Sequence, residues 1–248
     1  MKSICNEQVL QSTKSVISPY ELDMYVPSLD FAIEFNGMYW HSIECGTPAE
    51  YHMTKTDLCE QKNVRLLHVF EPEWMHRQMQ VKNHIKIILD IGMTHVYDEH
   101  IMHISRENGQ IFFENNAIAY KDLTGNCLAI CSKNEIVFVA EYEIDNMTMV
   151  VKQFCFKTGL YVEDALQKIC RYACNMEHVI VHRDRRIWPA SNALFDKFEH
   201  HGFIGMQLMH VNKNEHCKMH YDNESLEKCL YTMYDSGIET MICKNNVQ

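Results

Sequence analysis

The chain has 248 residues, of which 46% are hydrophobic, and a formal net charge of −10. This length and apolar content suit one large domain or two small ones, and a chain with only 5 prolines and 9 glycines is neither fibrous nor disordered. The acidic balance argues mildly against nucleic-acid binding, because phosphate contacts usually need a basic face.

The sequence shows no targeting or membrane segment. No stretch approaches the roughly 20 apolar residues of a membrane helix, and the N-terminus lacks a signal-peptide apolar region. The 11 cysteines follow no framework spacing and form no C-x-x-C pair. We therefore expect a reduced, cytoplasmic chain without a zinc ribbon.

The first half predicts a compact α/β unit. Residues 21–27 alternate apolar and polar side chains, and residues 31–36 form a second short run that ends at Gly37. A short turn between two such strands predicts an antiparallel hairpin. Farther along, the pattern predicts a helix, a buried strand and a longer amphipathic helix, at residues 51–62, 64–70 and 73–91.

The pattern changes after a break near residues 92–98, where we expect a second domain. The apolar spacing there predicts a short helix, three successive strands, a helix, a strand, a helix and a last short strand. These elements are expected at residues 111–116, 128–131, 136–142, 148–156, 162–174, 178–182, 190–201 and 206–211.

Two acidic side chains in the predicted hairpin suggest a metal site. A turn near Ser28 would bring Asp23 close to Glu34 on the paired strand, and Glu21 shares a strand face with Asp23. Carboxylate oxygens are the ligands that Mg²⁺ prefers, and a bound metal ion can activate water for phosphodiester hydrolysis. We predict that Asp23 and Glu34 bind Mg²⁺ or Mn²⁺ and that Glu21 assists them. The alternative is a solvated strand face.

Two further side chains complete the candidate catalytic set. Asn36 lies on the same face as Glu34, in a position where a lysine would stabilise negative charge. An amide can donate a hydrogen bond there but brings no positive charge. His41 follows closely and could act as a general acid or base near neutral pH.

The segments ELDMYVPSLDFAIEFNGMYWHS and YHMTKTDLCEQKNVRLLHVFEPEW resemble phage-type homing endonucleases related to Vsr mismatch-repair nucleases. These belong to the EDxHD group of the PD-(D/E)XK superfamily. Asp23 matches their metal-binding aspartate, Trp40 and His41 match a Trp-His pair, and Glu71 matches a later glutamate. The resemblance implies a magnesium-dependent endonuclease that cleaves double-stranded DNA and is encoded by a phage.

The same resemblance assigns roles to neighbouring residues. Trp40 would contact DNA or belong to the core, and Lys55 would bind a phosphate or replace the missing lysine. No structural zinc is expected, because Ile43 and Pro72 occupy two of its ligand positions. We expect the nuclease core at residues 1–95, lacking the family's first helix. The alternative is a catalytically weak or inactive nuclease-fold subunit that binds DNA or another protein.

Residues 96–248 resemble the GNAT-like domain that often follows such a core, through the segment SNALFDKFEHHGF. Acetyl transfer needs a glycine-rich turn that binds the CoA pyrophosphate at a helix N-terminus. Residues 157–164 hold one glycine and two acids instead, so no acetyl-CoA is expected. The whole chain is then α/β (α+β), with a PD-(D/E)XK, Vsr-like core and a GNAT-like mixed-sheet accessory domain that binds DNA or a partner.

The most basic run of the chain lies in this second half. Arg183, Arg185 and Arg186 follow a predicted strand, with Trp188 beside them. The arginines could hold DNA phosphates, and the indole could stack on a base. The alternative is a structural cluster of arginine and aspartate that fixes the loop.

Overall fold

The computed structural model describes residues 4, 6–190, 193–211 and 231–243. These residues divide into two compact units. The first contains the described residues between Met1 and Leu89, between Asp184 and Asn192, and between Ile204 and Ile238. The second contains those between Asp90 and Arg183, between Ala193 and Phe203, and from Glu239 onward. Two segments beyond residue 96 therefore group with the first unit.

The first unit contains a four-stranded sheet in the order β1-β2-β3-β4. Its strands are β1 (Leu10–Thr13), β2 (Leu22–Val26), β3 (Phe31–Asn36) and β4 (Arg65–Phe70). Strands β1, β2 and β3 pair antiparallel, whereas β3 and β4 pair parallel. Helix α1 (Tyr51–Gln61) forms the crossover that a parallel pair requires. The predicted hairpin is present.

The predicted helix at residues 73–91 is two helices. They are α2 (Glu71–His76) and α3 (Gln78–Leu89). The break falls at Arg77, whose φ of −129° is not helical. A two-stranded ribbon of β13 (Leu208–Val211) and β14 (Tyr231–Tyr234) completes this unit.

The second unit is built on a seven-stranded sheet in the order β12-β15-β11-β9-β8-β7-β6. The strands are β6 (Glu99–Ile104), β7 (Asn126–Ser132), β8 (Glu135–Asp145), β9 (Thr148–Phe156), β11 (His178–Asp184), β12 (Phe198–Gly205) and β15 (Ile238–Cys243). Strands β6 to β9 pair antiparallel, and β9 pairs parallel with β11. A short parallel pair joins β5 (Thr94–His95) to β10 (Leu160–Tyr161).

Two helices accompany this sheet, α4 (Arg106–Asn116) and α5 (Ala165–Tyr172). Phe112 and Phe113 of α4 pack in a buried cluster with side chains of β7 and β8. Gly109 permits the close approach of α4, because a Cβ there would lie 2.6 Å from Sγ of Cys127. None of the described helices is both long and apolar enough to cross a membrane.

The helix predicted at residues 190–201 is wrong where the chain is described. A single 3-10 turn at Ala193–Phe195 is followed by β12. The buried side chains of Phe195 and Phe198 pack edge to face, with ring centroids 6.1 Å apart. Their i, i+3 spacing imitates a helix, whereas pairing in the sheet sets the observed conformation.

Candidate functional site

Asp23 and Glu34 lie side by side in the first unit, as the hairpin requires. The amide of Asp23 donates to Oε1 of Glu34 (3.2 Å), and the amide of Phe35 donates to Oδ2 of Asp23 (2.7 Å). Glu34 is buried, whereas Asp23 is half-buried. Each carboxylate therefore already accepts a backbone hydrogen bond from the neighbouring strand.

Lys55 reaches the same place from α1. Its ammonium forms an ion pair with Glu34 and lies 5.2 Å from the centroid of the Tyr51 ring. Lys55 is only 2% exposed. Burial raises the pKa of Glu34 to about 7, although the charge of Lys55 pulls it down. Glu34 therefore sits close to its titration point at neutral pH.

Three histidine rings of the first unit contact one another in a row. His41 stacks on His52 with ring centroids 5.3 Å apart, and His52 meets the ring of His68 at 5.4 Å. Burial lowers the pKa of His52 to about 3, helped by His41 and Lys55, and burial also lowers the pKa of His41. Burial likewise lowers the pKa of His68. All three rings are therefore neutral at neutral pH, and His41 can accept a proton.

Asn36 faces the core of the first unit. Its Nδ2 lies 3.3 Å from Nδ1 of His68, and Nε2 of His68 lies 2.9 Å from the Thr56 hydroxyl. That hydroxyl in turn lies 2.9 Å from the hydroxyl of Ser236. Sequence reasoning assigned no role to His52, which lies one turn from Lys55 on the same helix, and missed His68 and Thr56. The register of β3 with β4, which pairs Glu34 with His68, is the feature that connects them.

The remaining predicted residues of this unit lie around the cluster. Glu21 is half-buried immediately before β2. Trp40 is 73% exposed and packs edge to face on Tyr39 at 4.8 Å, so it is not part of the core. Glu71 accepts a hydrogen bond from the amide of Met38 (3.1 Å).

The predicted DNA-binding run consists of buried, paired side chains. Arg183 pairs with Glu239, Arg185 with Asp57 and Glu60, and Arg186 with Glu73. Trp188 packs edge to face on His84 at 4.3 Å. The Arg186 amide donates to Asp184 Oδ1 at 3.0 Å, as in the structural alternative. DNA contact by these residues stays a prediction.

The described part of the chain holds no group of three or more histidine, cysteine, aspartate or glutamate side chains that could bind a metal ion. Lys55 forms an ion pair with Glu34, which is one of the two predicted magnesium ligands. The carboxylate that would bind the metal instead forms a buried ion pair.

The pairing between β9 and β11 of the second unit ends partway along both strands. The register between β9 and β11 ends at the Val151–Val181 pair, although β9 continues to Phe156 and β11 to Asp184. The neighbouring register of β8 with β9 shifts by one residue at Glu141/Tyr142. This irregularity is a β-bulge, which bends the strand and re-aims its side chains. The backbone pairing of the two parallel strands therefore stops in the middle of the sheet.

His182 immediately follows the last paired residue of β11. It is half-buried, and burial lowers its pKa, assisted by the charges of Lys121 and Lys152. Glu143 acts in the opposite direction on the same ring. The imidazole is therefore neutral at neutral pH and can accept a proton just beyond the last paired residue.

The turn before α5 is acidic, as the sequence indicates. Gly159 has a φ of +84°, and Asp164 precedes the helix with a φ of +55°. The Asp164 carboxylate pairs with Lys197 at 3.3 Å, while Glu163 is exposed.

The strand order and the point at which the pairing of β9 with β11 ends define the architecture of this unit. The sheet of the second unit is mixed and is accompanied by helices, so the predicted α+β fold class is confirmed for this unit. No family model matches the chain. No curated protein matches it either.

Several solved structures are similar to the chain. One is a GNAT family acetyltransferase from Elizabethkingia anophelis with acetyl-CoA bound, at 10% identity, 60% of this chain, 99% of that chain and a TM-score of 0.34. Another is the IAA acetyltransferase from Bacillus cereus, at 11% identity. The match covers 58% of this chain and 98% of that chain, with a TM-score of 0.32. A third is a Bacillus subtilis acetyltransferase in complex with CoA, at 9% identity. The match covers 58% of this chain and 97% of that chain, with a TM-score of 0.33. At these values the likeness concerns the fold alone.

These findings correct several predictions. The similar structures are acetyltransferases, so the assignment to homing endonucleases of the Vsr-related EDxHD group is wrong, and so is the magnesium-dependent DNA endonuclease. A PD-(D/E)XK core is not shown, and the inactive nuclease-fold subunit has no support. The expectation of Mg²⁺ or Mn²⁺ without acetyl-CoA is also overturned, because two of the similar structures hold acetyl-CoA or CoA and the described residues offer no metal cluster.

Proposed function

We propose that the second unit binds a CoA thioester where the pairing of β9 with β11 ends and transfers its acyl group to an amine. The observation that carries the proposal is the end of the β9–β11 register at Val151 and Val181. Pantetheine, the arm of CoA, is an extended chain with two amides. An extended chain of amides can add to the edge of a separated strand, as peptides do in β-augmentation.

The chemistry needs a base at the same place. The amine nitrogen attacks the thioester carbonyl, the C–S bond breaks, and CoA leaves as a thiolate that takes up a proton. His182 accepts the proton that the amine loses, since burial keeps its imidazole neutral. The acidic turn before α5 opposes the phosphates of CoA, so binding depends mainly on the pantetheine arm. We also propose a cytoplasmic location, where CoA thioesters and the free cysteines are both stable.

The test of this function is direct. Calorimetry with acetyl-CoA, CoA and adenosine 3′,5′-bisphosphate should show binding of the first two and much weaker binding of the third, which lacks pantetheine. Release of the CoA thiol should then follow addition of an amine from a panel of polyamines, amino sugars and peptides. A folded protein that binds neither acetyl-CoA nor CoA at 1 mM contradicts the proposal.

Replacing the proposed base should separate binding from chemistry. We expect His182→Ala to lower kcat/KM by about 100-fold or more and to leave the dissociation constant of acetyl-CoA unchanged. His178→Ala, an exposed histidine at the other end of β11, is the control and should keep full activity. Equal activity of both variants would remove His182 from the mechanism.

The charges around His182 give an opposite pair of pH predictions. Lys152 lowers the pKa of His182 and Glu143 raises it. Because the neutral ring is the active form, Lys152→Gln should move the acidic limb of kcat/KM to higher pH, and Glu143→Gln should move it to lower pH. The measurement is the pH dependence of kcat/KM with one amine. Shifts of the same sign in both variants would contradict the assignment.

A further inference from the structure

An aromatic pair is exposed on the turn that follows β3 in the first unit. Trp40 is 73% exposed and Tyr39 is 55% exposed, and their rings pack edge to face at 4.8 Å. Ile43 follows on the same turn and is 42% exposed. Single apolar side chains at a surface are ordinary, whereas a cluster of them indicates an interaction surface. The turn is therefore a candidate binding surface.

Hydrogen bonds within the turn hold its backbone. The carbonyl of Tyr39 accepts from the Ser42 hydroxyl (3.1 Å), and the carbonyl of Trp40 accepts from the Thr47 hydroxyl (2.8 Å). Ser42 also caps the 3-10 turn at Ile43–Cys45. Both aromatic side chains therefore project from a fixed backbone, which lowers the entropy that is lost when a partner binds.

A carboxylate lies beside the exposed indole. Glu71 follows β4, and β4 pairs parallel with β3, so the segments after the two strands leave the same edge of the sheet. A Cβ at Gly37 would lie 4.0 Å from Oε2 of Glu71 and 4.0 Å from Cδ1 of Trp40. Because residue 37 is glycine, no side chain fills the space between them. An ammonium or guanidinium group there could pair with the carboxylate and lie over the ring.

The charge of the turn has one sign. Residues 37–50 contain Glu44 and Glu50, which are both exposed, and no lysine or arginine. The whole chain carries a formal net charge of −10. A second copy of this chain and a nucleic acid would therefore both be repelled, whereas a basic polypeptide would be attracted.

We propose that Tyr39, Trp40 and Glu71 form a docking surface for a lysine- and arginine-rich segment of a partner protein. The aliphatic stem of a basic side chain packs on the indole, and its charged head pairs with Glu71. Glu44 and Glu50 attract further basic residues of the same segment. The first unit binds this segment whether or not the second unit transfers acyl groups.

The experiment measures the fluorescence anisotropy of a labelled peptide that alternates lysine with serine, titrated with the full chain. We expect binding at about 50 mM salt and several-fold weaker binding at about 300 mM, because salt screens exposed charges. The same peptide with glutamine in place of lysine lacks the cations and should bind about 10-fold more weakly or less.

Two variants separate the aromatic contribution from the charge. Trp40→Ala should weaken binding of the lysine peptide by about 10-fold or more, as aromatic anchors of interfaces do, whereas Tyr97→Ala, a 76% exposed aromatic of the second unit, should leave it unchanged. Glu71→Gln keeps an oxygen for the Met38 amide and loses the charge. It should weaken binding about 3-fold at low salt only, and Glu107→Gln, an exposed acid of α4, is its control.

Trp40→Ala should melt at the temperature of the wild type, because the side chain is exposed. The proposal is overturned if the wild type does not bind the lysine peptide at about 1 mM, or if Trp40→Ala and Tyr97→Ala bind it equally well. It is also overturned if Trp40→Ala abolishes binding to a double-stranded DNA oligomer or dimerisation in sedimentation. Either result would assign the turn to a different partner.

Discussion

Arg186→Met is expected to lower the free energy of unfolding by about 3–5 kcal/mol, the usual loss when one partner of a buried ion pair is removed. Arg186 is 0% exposed, and its guanidinium lies 2.8 Å from Glu73, which is 1% exposed. The same guanidinium lies 5.3 Å from the centre of the Phe70 ring. Methionine fills part of the space but leaves the Glu73 carboxylate without its counter-charge.

The measurement is urea unfolding at pH 7 followed by circular dichroism. Arg171→Met, an exposed arginine, is the control and should change stability by about 0.5 kcal/mol or less. The double variant Arg186→Met/Glu73→Gln should recover part of the loss, because no charge is then left buried. A loss below about 1 kcal/mol in the single variant would contradict the structural role of the pair.

Lys55→Met is expected to be about as costly, at about 3–5 kcal/mol at pH 8, and its cost should depend on pH. The pKa of Glu34 is about 7 even with Lys55 beside it, and it rises further when that charge is removed. A carboxyl whose folded pKa lies above the unfolded value loses stability as the pH rises through the folded pKa. The variant should therefore be clearly more stable at pH 5 than at pH 8, relative to wild type.

This prediction also has a matched control. Lys197→Met removes an exposed lysine that pairs with Asp164 at 3.3 Å, and it should cost about 0–1 kcal/mol at either pH. Adding Glu34→Gln to Lys55→Met should abolish the difference between pH 5 and pH 8. A pH dependence that survives in the double variant would place its origin elsewhere.

The first hairpin could be predicted from sequence because its signals are local. Alternation in β2 and β3 and the turn at residues 27–30 fix the register, and that register alone places Asp23 against Glu34. The predicted magnesium site was wrong, because Glu34 forms an ion pair with Lys55, which lies on a different element. A solvated or metal-bound carboxylate and a buried ion pair have the same sequence pattern.

The second half shows a different limit. The succession of strands and helices could be expected from the sequence, but the end of pairing between β9 and β11 leaves no local signal. The region around Phe195 and Phe198 shows apolar spacing that favours a helix, and the sheet overrides it. The arginine run was ambiguous because basic side chains on a nucleic-acid surface and in a buried cluster have the same composition.

The pairing of Arg186 with Glu73 and of Thr56 with Ser236 has a consequence for the order of folding during synthesis. The contacts of the first unit are complete only after the ribosome has synthesised residue 236. Most of that unit is already synthesised by residue 90. At typical elongation rates of about 5–20 residues per second, this interval lasts roughly 7–30 s. Glu73 has no Arg186 until residue 186 is made, and Thr56 has no Ser236 until the end of the interval, so the nascent first unit depends on local contacts such as Glu34 with Lys55. A fragment that ends at residue 95 would remain in that early state.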